Sequence, residues 1–469
     1  MQNLSLHKVT NHKKQTGFTI VELLVVIVVI GILAAITIVA YSGISDRARA
    51  ASLQSDLSNA SQQLKVFQAQ DDSNNYPGTN ECPTPTTGNI CLKSSSGNTL
   101  TYISNNTSNP KTFTLTATNG TQAYRITNDT PPVAIVIPTG ILTALGTPTI
   151  GAGTATWDVA ISPDGTSAYA TNQGAATISM YSRNTSTGAL TALGTPTIAT
   201  GTQPRGIAIS ADGTSLYTVN YGSANISMYS RNTSTGALTA LGTPTIATGT
   251  SSVDIVISPD GTSVYVTNGM NTISMYSRNI STGALTALGT PTIATSSEPF
   301  GIAISPNGAS VYVTNAGTDN VWTYSRNTST GALTYAGTIA AGARPQGIVV
   351  SADSASVYVA NKDANTISMY SRNTSTGALT ALGTPTIAAG TNPWSISISP
   401  DGYSVYSVNA GSANISMYSR NISTGALTAL GTPTIAAGSQ PYGIAISPDS
   451  ASVYSANAGS ANVSMYSRQ

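Results

Sequence analysis

The sequence predicts a mainly β protein: a long N-terminal helix, transmembrane and then amphipathic, carries a small α+β head and then a large repeated β domain. Three observations lead there. Residues 18–41 are almost wholly apolar; a phrase of the type "ISPDGTSVYVTN" recurs beyond residue 139; and Thr, Ser, Asn and Gly dominate a chain that is only 8% charged. That composition suits strands and tight turns kept soluble by neutral polar groups. With a net charge of +1 the chain has no basic surface to hold a phosphate backbone, which argues against nucleic acid as a partner.

The apolar run comes first. As a helix its 24 residues rise about 36 Å, enough for the hydrocarbon core of a bilayer. Lys8, Lys13 and Lys14 precede it, so the positive-inside rule places residue 1 in the cytoplasm and everything beyond residue 41 outside. A secretory signal would be shorter and end in a small-x-small cleavage site. Glu22 sits just inside the run, and an ionised carboxylate at that depth costs a few kcal/mol unless partnered.

The stretch "TGFTIVELLVVIVVIGILAAI" resembles the N-terminus of type IV prepilins, a likeness that covers about the first 55 residues. The resemblance implies that a prepilin peptidase cuts after Gly17, removing residues 1–17, and that Phe18 becomes the N-methylated first residue. It makes Glu22 the acidic residue at the fifth mature position, which neutralises the new amine of a neighbouring subunit as helices pack. Other pilin subunits and, before assembly, the membrane are therefore expected partners. Many pilins carry a proline near the twenty-second mature position, where this chain has Val39, so a kink there is not implied.

The helix is expected to continue to residue 70, with Leu53, Leu57, Leu64 and Phe67 along one face. That face should pack on a pilin-like β head over residues 71–130, built from "NTLTYIS", "KTFTLTATN" and "QAYRITN". Cys82 and Cys91 lie close together in a loop-rich stretch and fit one disulfide formed outside the cytoplasm. The prolines of "NDTPPVAIVIP" mark a linker over 131–138.

From residue 139 to 469 the core phrase appears seven times at a spacing of 46 to 48 residues. Each repeat reads as four strands, "RGIAIS", "SLYTVN", "ISMYSRN" and "LTALGTPTI", with an Asp-Gly turn after the first and "STG" before the last. That is one propeller blade. The region opens with a lone fourth strand (141–150) and stops after a third strand (463–469), so the expected fold is a seven-bladed β-propeller closed by an N-terminal outer strand.

The "VYVTN" phrases, with "SPDG" before and "STGALT" after, resemble the YVTN and lactonase-like propeller families over about 330 residues. The likeness implies the fold; lactonase-like members imply hydrolysis of a sugar lactone. The propeller residues offer little for that chemistry: no histidine, no cysteine, one glutamate (Glu298) and ten aspartates, six of them at one turn position. Seven arginines recur at the end of the third strand, on the same face as that turn, and are expected to pair structurally with the aspartates. Neither an enzyme nor a metal or other cofactor is expected.

Near-identical repeats differ most before the first strand, where equivalent positions hold Trp157, Arg205, Val253, Phe300, Gln346, Trp394 and Tyr442. These should ring the mouth of the central channel, with Asp158, Asp254, Glu298, Arg344, Tyr221, Asp319, Lys362 and Asp363 around them. Trp157, Phe300, Trp394 and Tyr442 are candidate ligand-binding residues and Arg205 a directional polar contact, because exposed aromatics usually meet a partner. The bland reading is that they plug the channel. Trp322, replacing a strand serine, is expected to be repacked core. The expected function is a minor or tip pilus subunit displaying the propeller as an adhesion module for a cell-surface glycan or protein. The alternatives are a propeller acting only as a shield, to which sequons such as Asn184-Thr-Ser would contribute glycans, and a membrane-tethered hydrolase.

Overall fold

The computed structural model describes residues 47–469 apart from 79, 81–84, 86, 87, 107–110, 120, 121, 129 and 136–138. The leader, Gly17, Phe18, Glu22, the apolar segment 18–41 and Cys82 lie outside the described residues. Two compact units divide the chain, Met1–Ile137 and Pro138–Gln469.

In the first unit residues 47–70 are helical. Leu53, Leu57, Ala60 and Leu64 recur at helical spacing, and that stripe is buried against Phe113, Leu115, Ala117 and Ile126 of a sheet. Phe67, expected on the same stripe, is only half-buried. The sheet is antiparallel in the order β1 (Thr99–Asn105), β2 (Thr112–Asn119), β3 (Gln122–Thr127), β4 (Val133–Ile135). The last strand falls inside the stretch expected as a linker. Pro131 and Pro132 favour extended backbone, so here they start a strand that pairs Val133–Ile135 with residues 123–125. Asp56 ties the helix to the loop before β1, accepting from the Ser95 amide and hydroxyl and from Asn98. Burial alone would raise its pKa, but these hydrogen bonds hold the carboxyl below its ordinary value. Cys91 is disulfide-bonded. Among the described residues no helix is long and apolar enough to cross a membrane.

The second unit consists of seven four-stranded antiparallel sheets. Blade 2 is typical, with strands Pro204–Ile209, Ser215–Asn220, Asn225–Arg231 and Leu238–Ala247 in sequence order. Six blades use consecutive strands. Blade 7 joins Pro441–Ile446, Ser452–Asn457 and Asn462–Arg468 to Leu142–Gly151 from the other end of the domain. The Gly140 amide donates to the Gln469 carbonyl at 2.8 Å and the Gln469 amide to Ile141 at 3.0 Å, finishing the joint. Each first strand packs on the first strands of both neighbouring blades, and that of blade 7 packs on that of blade 1.

The second strands are buried at every position, and the outer strands are largely exposed. An exposed outer strand is an edge open to foreign pairing. In blade 2 the pairing passes from Ser227 with Thr245 to Tyr229 with Ala240, so residues 241–244, ending in Pro244, bulge opposite Met228. Bulge and proline both blunt the edge.

Neighbouring blades share apolar clusters, such as Tyr217 and Ile226 with Ile255 and Val264, and turn aspartates also pair with strand-end arginines across each boundary. Arg231 of blade 2 lies 2.8 Å from Asp164 of blade 1, and its Nε donates to the Tyr169 hydroxyl, which itself donates to the Gly236 carbonyl. The ion pair repeats at Arg183, Arg278, Arg326, Arg420 and Arg468, with Asp449, Asp212, Asp260, Asp353 and Asp401, though the Nε of Arg468 donates to the Ser404 hydroxyl and not to a tyrosine. Arg372 is the variant: the turn of blade 4 carries Asn307, and Arg372 donates instead to Tyr312 and Ser310. These guanidinium groups are buried, so removing a partner would leave an uncompensated charge. Burial would raise the Asp212 carboxyl, but hydrogen bonds from Ser210, Thr214 and Arg278 hold it down at about 2.

Candidate functional site at the propeller mouth

The register of each blade puts the start of the first strand, the end of the second and the start of the third at one end, opposite the Asp–Arg turns. At this end the repeats diverge. The divergent residues stand on the first strand itself, as the second residue of Thr156–Ile161, Pro204–Ile209 and their equivalents, and not in the preceding loop where they were expected. The cause is local: Ala155, Gln203, Ser251, Glu298, Arg344, Asn392 and Gln440 all adopt left-handed backbone, so each turn ends two residues before that position and the strand has already begun there.

Four of the seven form one aromatic cluster. Trp157 lies edge-on to Trp394 with ring centroids 5.8 Å apart, Tyr442 is 4.6 Å from both, and Phe300 is 5.5 Å from Trp394. These residues come from blades 1, 4, 6 and 7, so the rings meet across the channel. All four are half-buried. Arg205 joins the edge of the cluster, its guanidinium carbon 4.5 Å from the Trp157 ring centre and 3.6 Å from that of Tyr221. Burial lowers its pKa to about 10, offset in part by Tyr221 and Tyr442, so it stays charged at neutral pH. Lys362 stands on the other side, 5.0 Å over Trp394. Val253 lines the same space but is buried, and Gln346 is buried with its side-chain amide turned to the carbonyls of Arg344 and Pro345. Arg344 is occupied by Glu298 at 3.2 Å, and its amide donates to Asp319.

Beneath the rings lies a cavity of about 50 Å³, lined by Asp158, Asp254 and backbone at Gly206, Gly301 and Gly347. It has room for a few waters and no more. Asp158 accepts from the amides of Val159 and of Ile207 in the next blade, and Asp254 from Ile255 and Ile302 in the same fashion. Burial pushes the Asp158 carboxyl up to about 7, with the charge of Asp254 adding to the rise against those two amides. Asp254 is raised by burial to about 6, again against its amide donors. The glycines opposite are required by closeness: a Cβ on Gly206 would stand 2.9 Å from the Asp254 Cα and 3.0 Å from the Val253 carbonyl.

Two polar atoms at this mouth are buried without a hydrogen-bond partner, Nε of Arg205 and Nε1 of Trp394. Sequence reasoning did not reach them, because a missing partner is a property of packing. It also missed the aromatic pair on blade 4, where half-buried Trp322 lies 4.6 Å from exposed Tyr335 and packs against the blade 3–4 core. The sequon at Asn184 shows turn chemistry: its side-chain oxygen accepts from the Ser186 and Thr187 amides. Among the described residues no group of three or more His, Cys, Asp or Glu could hold a metal ion.

Residues 139–253, 242–346, 334–441 and 395–469 match the family model described as lactonase, seven-bladed β-propeller. The chain belongs to that family. Residues 12–38 match the prokaryotic N-terminal methylation motif, so this lactonase-family propeller is fused to a type IV prepilin N-terminus. No curated protein matches the chain. Among solved structures, a candidate 6-phosphogluconolactonase from Bacteroides fragilis is 19% identical, with a TM-score of 0.55 over 69% of this chain and 92% of that one. A similar protein from Bacteroides uniformis is 21% identical, with a TM-score of 0.53 over 68% and 93%. The periplasmic gluconolactonase of Pseudomonas aeruginosa is 17% identical, with a TM-score of 0.52 over 70% and 93%. At such identities the lactonase-family likeness carries the fold alone.

Proposed function

We propose that the chain is a minor or tip subunit of a type IV pilus or pilus-like filament, displaying its propeller as an extracellular adhesion module. The methylation motif over residues 12–38 supports processing at Gly17, assembly with other pilins through the N-terminal helix and Glu22, and passage from membrane to cell surface. A disulfide at Cys91, with Cys82 as its proposed partner, suits that destination. The observation that carries the binding role is the aromatic cluster: the one end where near-identical blades diverge brings Trp157, Phe300, Trp394 and Tyr442 together. With so little space beneath the rings, the ligand lies on them and not inside the channel.

Membership of the lactonase family favours a second reading, a membrane-tethered hydrolase using Asp158 or Asp254, whose raised pKa values suit acid–base work. Against it, each of the four carboxylate oxygens already accepts a backbone amide, and the cavity is too small for a sugar lactone. Cells bearing wild-type or Trp157→Ala/Trp394→Ala protein, matched for surface display, are compared for attachment. A loss of about 30-fold in affinity is expected for an aromatic-anchored site. Equal attachment sinks the adhesion role, and lactone turnover abolished by Asp158→Asn would favour the hydrolase.

A further inference from the structure

We propose that the mouth is a receptor for acidic glycans: a pyranose ring packs against the cluster of Trp157, Trp394 and Tyr442, and its carboxylate is taken by Arg205. This rests on the binding-module reading above and names the ligand class.

Arg205 has no counter-ion among the described residues of the propeller. Six strand-end arginines and Arg344 have carboxylate partners within 4 Å, and Arg372 donates to Tyr312 and Ser310. Among the described residues of the propeller, Arg205 is the arginine with neither an ion pair nor a hydrogen bond, and its buried Nε is unsatisfied. A half-buried cation with one buried N–H left unsatisfied is costly unless a ligand completes it. Its pKa, lowered by burial, reflects that same deficit. The guanidinium carbon lies 4.5 Å from the Trp157 ring centre and 3.6 Å from that of Tyr221, so two rings hold it in place. A guanidinium edge matches the two coplanar oxygens of a carboxylate.

The neighbouring groups select the rest of the ligand. Trp394 adds a second buried donor without an acceptor, and Lys362 above its ring has no carboxylate within ion-pair distance among the described residues. Arg205, Trp157, Trp394 and Lys362 therefore follow one another as cation, ring, ring, cation. A partner for that run needs a flat face of C–H groups, many acceptor oxygens and negative charge. A sugar acid supplies all three.

The test uses the detergent-solubilised full chain titrated with polygalacturonate, neutral dextran and dextran sulfate. Polygalacturonate is expected to bind at least 10-fold more tightly than either of the others, and less tightly as salt rises. Arg205→Gln should lose 10-fold or more for polygalacturonate with dextran unchanged; Arg205→Lys, which keeps the charge but not the planar fork, should lose at least 5-fold. Thermal melts of both variants check that the ring is intact. Equal binding of dextran, equal or tighter binding of dextran sulfate, or an unchanged Arg205→Gln overturns the acid-glycan inference. If in those cases Trp157→Ala/Trp394→Ala still abolishes binding, the adhesion reading stands. If no polymer binds, the acid-glycan inference falls and the adhesion reading is decided by the cell-attachment comparison; if binding survives the double substitution, both fall.

Discussion

At one end of the propeller six arginines meet six aspartates across blade boundaries with nearly the same geometry each time; at the other, seven equivalent positions hold six residue types. The first end is where each blade is fastened to the next, and its buried guanidinium groups leave little freedom for change. The second end bears less of that fastening. There the chain departs from its own repeat, accumulates aromatic rings and leaves buried donors unsatisfied. Sameness among the copies marks load, and difference marks a surface free to be used.

The sharpest way to break the contrast is to remove the joint that makes all boundaries equivalent. Deleting residues 139–151 strips blade 7 of its outer strand and should cost stability on the order of the whole net value, about 5 to 15 kcal/mol. A cooperative melt unchanged from the full ring would refute this. Next in size, Arg231→Met removes the buried group that bridges Tyr169, Ser167, the Gly213 carbonyl and Asp164, and a loss of about 3 kcal/mol is expected in urea unfolding. Trp394→Phe at the mouth should cost far less, since a ring still fills the site and an unsatisfied donor is removed; a loss as large as that of Arg231→Met would erase the distinction between the two ends.

The two ends should also respond oppositely to acid. Asp158 and Asp254 have folded pKa values of about 7 and 6, above the ordinary 3.8, so their contribution is full below 3.8 and lost as pH rises through those values. Lowering pH from 8 to 5 should therefore raise the melting temperature. The turn aspartates, held below 3.8, contribute above that value and lose it as pH falls further, so stability should decline again below about pH 4. Asp158→Asn should flatten the upper limb alone. The smallest effect is a repair: Asn307→Asp supplies the missing carboxylate opposite Arg372 and should add up to about 1 kcal/mol at pH 7, a gain that shrinks as pH falls below about 4.

Blade number, strand order and ring closure were legible because they rest on short-range signals, alternation within strands and Asp-Gly or Ser-Thr-Gly between them. The aspartate–arginine pairing was legible as a pairing, but not that it joins neighbouring blades, since identical repeats do not reveal which copy supplies each partner. The mouth was legible through differences among copies. That its rings meet across the channel depends on channel width, which no local pattern encodes. Blade 4 shows the same limit: its outer strand, Leu333–Ala340, is two residues shorter than the ten-residue strands elsewhere, and only one residue lies between the positions paired with Thr323 and Tyr324. Trp322 packs on the core as expected, but without the longer bulge it also meets Tyr335 at the surface.

The strand at Leu142–Gly151 is synthesised first in its domain and employed last. Its partner strand ends at Arg468, and the Thr139 hydroxyl reaches the Gln469 carbonyl across 330 positions of sequence. Six blades can assemble from neighbours in order, each a local event, while this one segment waits for the remainder of the domain to appear. Contacts so distant in sequence form slowly because the whole intervening chain must be ordered before they are rewarded. The domain therefore has a clock as well as a shape: until its final strand emerges, blade 7 lacks a partner for its oldest segment, and that interval is when the chain is most open to proteases and to the wrong neighbour.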